Sequence, residues 1–142
     1  IRKKTTATSE VAFQLEIERG ADVIYLERRG YIDKKNPIII EKSWWIAEVV
    51  EGLQKPNIHI PDLLYALISK KFKTQITASK EVLTAGIADS KTAKILHISK
   101  GDPVVILNRH SYAKHKGLVE FRITTGRADM FSYRTTIGNT DY

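Results

Sequence analysis

The stretch GADVIYLERRGY, residues 20–31, occurs twice in this chain of 142 residues, since GDPVVILNRHSY follows at residues 101–112. In each copy a short amphipathic helix ends at a glycine and is followed by a strand rich in β-branched residues. We therefore predict an internal duplication in which each half is a helix followed by a β-hairpin. The identical pairs are Ala12 and Ala93, Leu15 and Leu96, Ile17 and Ile98, Gly20 and Gly101, Val23 and Val104, Leu26 and Leu107, Arg28 and Arg109, and Tyr31 and Tyr112.

Each repeated strand carries one arginine within its apolar run, Arg28 in the first copy and Arg109 in the second. Side chains alternate across a strand, so Arg28 shares a face with Ile24 and Leu26, and Arg109 shares a face with Leu107. An uncompensated charge on a buried face costs several kcal/mol, so both guanidiniums need an anion nearby. That anion is either an internal carboxylate or a bound ligand.

Composition restricts the class of protein. Hydrophobic residues make up 42% of the chain and charged residues 27%, as in ordinary globular domains of this length. The chain has no apolar run near the ~20 residues that span a bilayer and no signal-peptide pattern. It contains no cysteine, which excludes disulfides and thiolate chemistry. We expect a cytoplasmic protein without membrane contact.

The formal net charge of +7 raises the alternative of a nucleic-acid-binding module. The lysines and arginines are scattered, however, and no basic helix, zinc-finger or RNP-type pattern accompanies them. The chain also begins Ile-Arg-Lys-Lys rather than with methionine. We interpret residues 1–142 as one domain taken from a longer protein.

The periodicity of the chain predicts an α+β domain with a mostly antiparallel sheet. Asp62 and Asp89 are the expected N-caps of the second and third helices. Trp44 and Trp45 should point to opposite faces of the sheet, one into the core and one toward solvent, a loop or a partner subunit. The predicted elements are an edge strand (2–7), a helix from Thr8 or Ser9 to Gly20, strands 23–33 and 37–45, a helical turn and loop (46–61), helix 63–72, strand 74–87, helix 90–96, strands 104–113 and 118–125, and a last strand (130–137).

Each hairpin carries a carboxylate on its returning strand, Glu41 in the first and Glu120 in the second. Two interpretations remain open. Each glutamate pairs with the arginine of its own half, Arg28 or Arg109, or the four side chains form one polar cluster that binds a small anion or zwitterion between the halves.

The motifs of catalysis are missing from the sequence. No HExxH or paired-histidine spacing indicates a metal site, no GxSxG element supplies a nucleophile, and no glycine loop opens a helix to hold a phosphate. We therefore expect no enzyme activity, no metal and no cofactor.

The order of these motifs resembles a known family. A helix ends in Leu15-x-Ile17-x-x-Gly20, a strand ends in Leu26-x-Arg28, and Pro37-Ile-x-x-Glu41 follows. A Leu-Tyr-x-Leu helix, a second Leu-x-Ile-x-x-Gly-Asp-Pro-Val, Val-Glu-Phe and a terminal Gly-Arg-Ala-Asp-x-Phe complete the pattern. Together they resemble the UTRA domain, the effector-binding half of HutC-subfamily GntR transcriptional regulators, which shares its fold with chorismate lyase.

The resemblance implies a ligand-sensing domain that follows an N-terminal winged helix-turn-helix domain, which is absent from this chain. It also implies a homodimer whose effector, a sugar phosphate, an amino acid or a derivative, changes operator affinity. DNA would be contacted only through the absent domain. The residues that the resemblance assigns to effector binding are Arg28, Glu41, Tyr65, Glu120 and Phe131, and Arg109 joins them through the duplication.

Two positions depart from the sugar-phosphate sensors of the family. Gly30 stands where those proteins tend to carry a second arginine, and Leu63 stands where they tend to carry a serine. A desolvated phosphate needs several charge-assisted donors, so a carboxylate or a less charged effector is an equal expectation. A lyase-like enzyme on the same fold and a nucleic-acid module are the alternatives.

Overall fold

The computed structural model describes residues 1–134 of the chain. One six-stranded antiparallel sheet has the order β1-β2-β3-β6-β5-β4. The elements are β1 (Arg2–Thr6), α1 (Ser9–Leu15), β2 (Asp22–Tyr31), β3 (Pro37–Ile46), a 3-10 turn (Ala47–Val50), α2 (Leu64–Phe72), β4 (Ile76–Ile87), α3 (Ser90–Leu96), β5 (Pro103–Ala113) and β6 (Gly117–Arg127).

The duplication is confirmed by matching backbone contacts in the two halves. The Gly20 N–H donates to the Ala7 carbonyl at 2.9 Å, and the Gly101 N–H donates to the Ala88 carbonyl at 2.9 Å. Each half is a strand, a helix and a hairpin, and the halves meet where β3 pairs with β6. A pseudo-twofold axis therefore passes between β3 and β6 and relates the two halves.

The two faces of the sheet bury different helices. On the first face, which we call the α2 face, Ile24 and Trp45 pack against the 3-10 turn, the loop that follows it and α2. On the opposite α1/α3 face, Phe121 of β6 packs against α1, and Ile40 of β3 packs against α3. Each repeated helix thus lies on the central strand of the other half.

The adjacent tryptophans separate as predicted. Trp45 is fully buried on the α2 face. Trp44 is half-buried on the α1/α3 face, where it stacks on Phe121 with ring centroids 5.7 Å apart. Trp44 therefore packs against the sheet and does not project as a contact for another chain.

Three local predictions are wrong. The first helix ends at Leu15, with Glu16 in the left-handed region (φ 56°), and not at Gly20. The α3 helix has the predicted bounds, Ser90–Leu96, with His97 in the same left-handed conformation (φ 55°). Gly20 and Gly101 instead occupy the turns that enter β2 and β5, where φ is +86° and +91°. Residues 16–21 and 97–102 then bring the chain back to the sheet.

Asp62 is not the N-cap of α2. The cap position is Leu63, and its side chain makes no capping hydrogen bond, whereas Asp89 caps α3 as predicted through the Thr92 N–H at 2.6 Å. The predicted last strand is also wrong where it can be checked. Residues 130–134 lie outside any strand, and 135–137 lie outside the described residues.

No helix within residues 1–134 is long and apolar enough to span a bilayer.

Candidate functional site

Charged side chains replace the apolar core at one end of the α2 face. The register of the sheet causes this, because Arg28 lies opposite Glu41, Arg109 lies opposite Arg122, and Glu81 lies opposite Arg109. These residues come from five neighbouring strands and all point to the face that carries α2. The sheet therefore brings three guanidiniums together with the carboxylates that balance them.

Ion pairs connect the first half of the chain with the second. Arg28 Nη2 lies 2.6 Å from Glu41 Oε2, and Glu41 Oε1 lies 3.1 Å from Arg122 Nη1. Arg122 also donates to Glu120 Oε1 from Nη2 at 2.7 Å and from Nε at 2.9 Å. Arg122 thus joins the glutamates of both hairpins into one network.

Glu120 is fully buried and satisfies its second oxygen with hydroxyl groups. Its Oε2 accepts from Tyr65 at 2.6 Å and from Ser111 at 2.7 Å. The guanidinium of Arg122 lies 5.1 Å from the centre of the Tyr65 ring, within cation–π distance. The carboxylate therefore holds α2 onto the central strands.

Burial and charge shift the pKa values of this network. Burial, followed by the charge of Glu120, raises the pKa of the Tyr65 hydroxyl, so the tyrosine stays protonated as a donor. Burial lowers the pKa of Arg122, but the charges of Glu120, Tyr65 and Glu41 outweigh that effect and hold the pKa above its ordinary value. Tyr65 thus stays a hydrogen-bond donor, and Arg122 stays charged.

Of the two interpretations left open, pairing within each half holds for Arg28 with Glu41 and fails for Arg109 with Glu120. Glu120 lies opposite Ser111, which places it two positions from Arg109 along the sheet. Arg109 instead forms its ion pair with Glu81 of β4. The hydroxyl of Tyr133, beyond the end of β6, donates to the other oxygen of Glu81.

Arg28 also fixes the loop that leads into α2. Its Nη1 donates to the carbonyls of Pro61 and Asp62 at 3.2 and 3.1 Å. These contacts set the position of the first turn of α2 over the charged end of the sheet. Arg28 therefore links the carboxylate network to the element that covers it.

A cavity of about 280 Å³ opens between these arginines and the first turn of α2. Arg28, Arg109 and Arg122 line it together with Tyr65, and the paired carboxylates of Glu41, Glu81 and Glu120 do not. The lining therefore holds three arginines and one acidic residue, Asp62, whose side chain is exposed. We call this cavity the arginine pocket.

Phe131 lies apart from the charged cluster. Its ring covers the face of Gly126, where an added Cβ would come within 2.7 Å of the ring. The Phe131 N–H donates to the Arg127 carbonyl at 2.8 Å, which turns the chain back over the α2 face. The structure thus brings together Arg28, Glu41, Tyr65 and Glu120, places Arg109 at the wall of the same pocket, and leaves Phe131 outside that wall.

Sequence reasoning missed Arg122, Ser111, Glu81 and Tyr133. Arg122 was detectable, since it follows Glu120 by two residues and therefore shares its face. The contact between Glu81 and Arg109 was not detectable from the sequence, because it depends on β4 being the strand that pairs with β5 at the edge of the sheet.

A larger cavity of about 410 Å³ lies elsewhere, beside the Lys4–Asp22 ion pair. The charged groups around it are exposed, so it lacks the buried ionic network that distinguishes the arginine pocket. Within residues 1–134, no group of three or more histidine, aspartate or glutamate side chains is arranged to hold a metal ion. The arginine pocket is suited to holding an anion.

Comparisons with known proteins agree on one family. The model of the UTRA domain matches residues 2–132. The HTH-type transcriptional regulator GgaR of Escherichia coli K12 is 26% identical over 124 residues, which cover 87% of this chain and 48% of GgaR. The chain thus spans about half the length of the curated relatives it matches.

Solved structures show the same fold. The ligand-binding domain of a regulator assigned to the GntR family, from Bordetella bronchiseptica, superposes with a TM-score of 0.86 at 24% identity and covers 97% of this chain and 88% of that one. PhnF from Mycobacterium smegmatis superposes with a TM-score of 0.84 at 23% identity, covering 97% and 60%. From the family model and this fold together, we conclude that the chain belongs to the UTRA domain family.

Proposed function

We propose that this UTRA domain binds a small anionic or zwitterionic effector in the arginine pocket and so modulates DNA binding by a separate domain of a HutC-type GntR transcriptional regulator. The observation that carries the proposal is the composition of the pocket lining. Three arginines line one hollow, the glutamates paired with them do not line it, and the one acidic residue of the lining, Asp62, is exposed. Residues 1–142 are then the effector-binding part of a cytoplasmic regulator whose winged helix-turn-helix domain is a separate unit.

The size of the pocket restricts the effector. About 280 Å³ lies just below the usual range of small-molecule sites, which begins near 300 Å³. A single sugar phosphate, an amino acid or a similar metabolite fits that volume. The pocket gains its affinity for anions from Arg28 and Arg109, whose side chains are 22% and 28% exposed and can reorient toward a ligand.

Coupling to DNA requires the effector to favour one arrangement of the protein over another. Arg28 supports this, because one guanidinium contacts Glu41 of the sheet and the carbonyls that precede α2. An anion that draws Arg28 into the pocket would loosen those carbonyl contacts and move the start of α2. The proposed signal therefore begins at the loop that carries Pro61 and Asp62.

A homodimer is the second part of the proposal, and its surface differs from the one the sequence suggested. Trp44 is half-buried, so it is a poor candidate. The edge strand β4 is long and exposes Val82, Leu83 and Ile87, whereas the opposite edge strand β1 is short and carries Arg2, Lys3 and Lys4. Charged, short edges resist strand pairing, so β4 is the edge that can pair with a second copy.

The test is a calorimetric screen of the purified domain against sugar phosphates, amino acids and inorganic phosphate. We expect one class of anion to bind the native domain and to lose most of its affinity in Arg28→Ala. Arg29→Ala is the matched control, because Arg29 follows on the same strand and points to the opposite face. Equal binding by native protein and Arg28→Ala would refute the site.

The rival functions give different readouts. Conversion of chorismate by the native domain would identify an enzyme, and a salt-dependent gel shift by the domain alone would identify a nucleic-acid module.

A further inference from the structure

A row of four aromatic rings crosses the α1/α3 face of the sheet. The register pairs Tyr25 with Trp44, Trp44 with Phe121, and Phe121 with His110. Their ring centroids are 5.3, 5.7 and 5.0 Å apart in that order. The α1 helix covers the Phe121 part of the row, since Phe121 is 2% exposed and packs with Val11 and Leu15.

The other end of the row is open. Tyr25 and Trp44 form part of the wall of a groove of about 510 Å³, which β1 borders on one side and α3 on the other. The volume lies in the range of small-molecule sites. An aromatic ring placed in the groove would continue the row, because stacked and tilted ring pairs are favoured at these separations.

Three lysines, Lys3, Lys42 and Lys91, line the same groove. Among residues 1–134, none of their amino groups lies within ion-pair distance of a carboxylate. Glu27, the acidic residue of the groove, is buried and accepts a hydrogen bond from the Tyr25 hydroxyl at 2.8 Å, with Arg29 at 3.8 Å. The accessible charge of the groove is therefore positive.

We propose that this groove is a second ligand site, specific for a small anion that carries a planar aromatic ring. The ring packs on Tyr25 and Trp44, and the anionic group lies among the three lysines. The groove is on the opposite face of the sheet from the arginine pocket, so this site does not depend on the function proposed for that pocket. It would allow the domain to respond to two different metabolites.

The sharpest test compares probes that separate the ring from the charge. AMP and indole-3-acetate carry both, adenosine carries a ring alone, and inorganic phosphate carries a charge alone. We expect the two aromatic anions to bind at least about tenfold more tightly than adenosine or phosphate, with an affinity that falls as salt is added. Binding should also change the fluorescence of Trp44, since Trp45 is buried on the other face.

Variants then locate the binding. Lys42→Gln and Lys91→Gln should each weaken AMP binding about two- to fivefold, as expected for exposed charges. Lys94→Gln is the matched control, because Lys94 is exposed on the same helix and does not line the groove. Loss of AMP binding in Arg109→Gln, with native binding in both lysine variants, would place AMP in the arginine pocket and refute the groove as its site.

Three results would overturn the proposal: binding of neither aromatic anion at millimolar concentration, equal binding of AMP by native protein and the Lys42 and Lys91 variants, or binding of a DNA duplex through these lysines without binding of either aromatic anion.

Discussion

Arg122 and Glu120 form a buried ion pair within one strand, with Nη2 and Oε1 2.7 Å apart and side chains 8% and 0% exposed. They are two residues apart on β6, so both point to the α2 face. A buried pair of this kind adds little stability in itself, but each partner prevents the other from being a lone buried charge. The stability of the charged end of the sheet therefore depends on Arg122.

Replacing that arginine should be costly. We expect Arg122→Met to lower the free energy of unfolding by about 3–5 kcal/mol, because Glu120 loses both of its guanidinium hydrogen bonds in a buried setting. Urea unfolding measures the change. The exposed Lys4–Asp22 pair, 2.6 Å apart, is the control, and Lys4→Ala should leave the free energy of unfolding nearly unchanged. Equal losses in the two variants would show that Arg122 is not structurally central.

The hydroxyl of Tyr65 should stabilise the fold by its bond to Glu120. We expect Tyr65→Phe to cost about 1–3 kcal/mol, since a buried carboxylate oxygen loses a donor. The pKa of Tyr65 is raised from 10.0 in the native state, so its contribution is complete below that pH and is lost as the pH rises through the native value. Alkaline unfolding curves should therefore be steeper for native protein than for Tyr65→Phe. Parallel curves would contradict this.

Glu81 should control part of the acid stability. Burial opposes its ionisation, but hydrogen bonds from Tyr133 and Arg109 outweigh burial and hold the pKa below the ordinary 4.5. The stability that this shift provides is complete above pH 4.5 and is lost as the pH falls through the native pKa. The stability of Glu81→Gln should therefore fall less than that of the native protein as the pH is lowered below 4.5. Asp33 and Asp89, whose pKa values are also lowered, contribute to the acid loss of stability equally in both proteins. An identical loss of stability at acid pH in the native protein and in Glu81→Gln would refute the prediction.

Gly126 should be required for the packing of Phe131. A Cβ at this position would lie 2.7–2.9 Å from the Phe131 side chain. The backbone of Gly126 cannot shift to relieve this contact, because β6 is hydrogen-bonded to β3 on one side and β5 on the other. We expect Gly126→Ala to cost about 1–3 kcal/mol through overpacking and to release Phe131. A smaller cost of Gly126→Ala in a Phe131→Ala background, measured as a double-mutant cycle, would confirm direct conflict. If the free-energy costs of Gly126→Ala and Phe131→Ala simply add in the double mutant, the two residues do not conflict directly.

The edge strand β4 should mediate dimerisation. We expect the domain to sediment as a dimer, and we expect Val82→Lys combined with Leu83→Lys to shift it toward monomer, since lysine on an edge disfavours strand pairing. Phe13→Lys on α1 is the matched control, because Phe13 is 81% exposed and lies on another element. A dimer that survives the β4 changes would locate the interface elsewhere.

The α+β class, the antiparallel sheet and the order of elements followed from the repeat and from hydrophobic periodicity. The hairpin 23–45 and the helix 90–96 needed only local patterns, since turn residues and Asp89 mark their ends. The partner of Arg109 could not be found in this way. Its ion pair with Glu81 depends on the pairing of β4 with β5, a contact across 28 residues that no local pattern encodes.

The end of the first helix was misjudged, for a physical reason. Glycine marks a positive φ, and both Gly20 and Gly101 have one, but Glu16 and His97 adopt the left-handed conformation four residues earlier. A non-glycine residue in that region gives no signal in the sequence. Arg28, Glu41 and Glu120, in contrast, lie on one face as the strand pattern indicated, because alternation fixes the face of each strand residue once the pairing is known. Tyr65 lies on α2, and only the resemblance placed it with them.

The exchange of helices between the halves has an evolutionary consequence. The α1 helix packs on Phe121 of the second half as well as on strands of its own half. The α3 helix likewise packs on Ile40 of the first half as well as on its own half, so each half in isolation would leave part of its helix uncovered. An ancestor of half this length would have needed two intertwined copies to form the same core. We infer that gene duplication joined such a pair into one polypeptide, and we expect a chain cut between α2 and β4 to regain its shape only when both pieces are mixed.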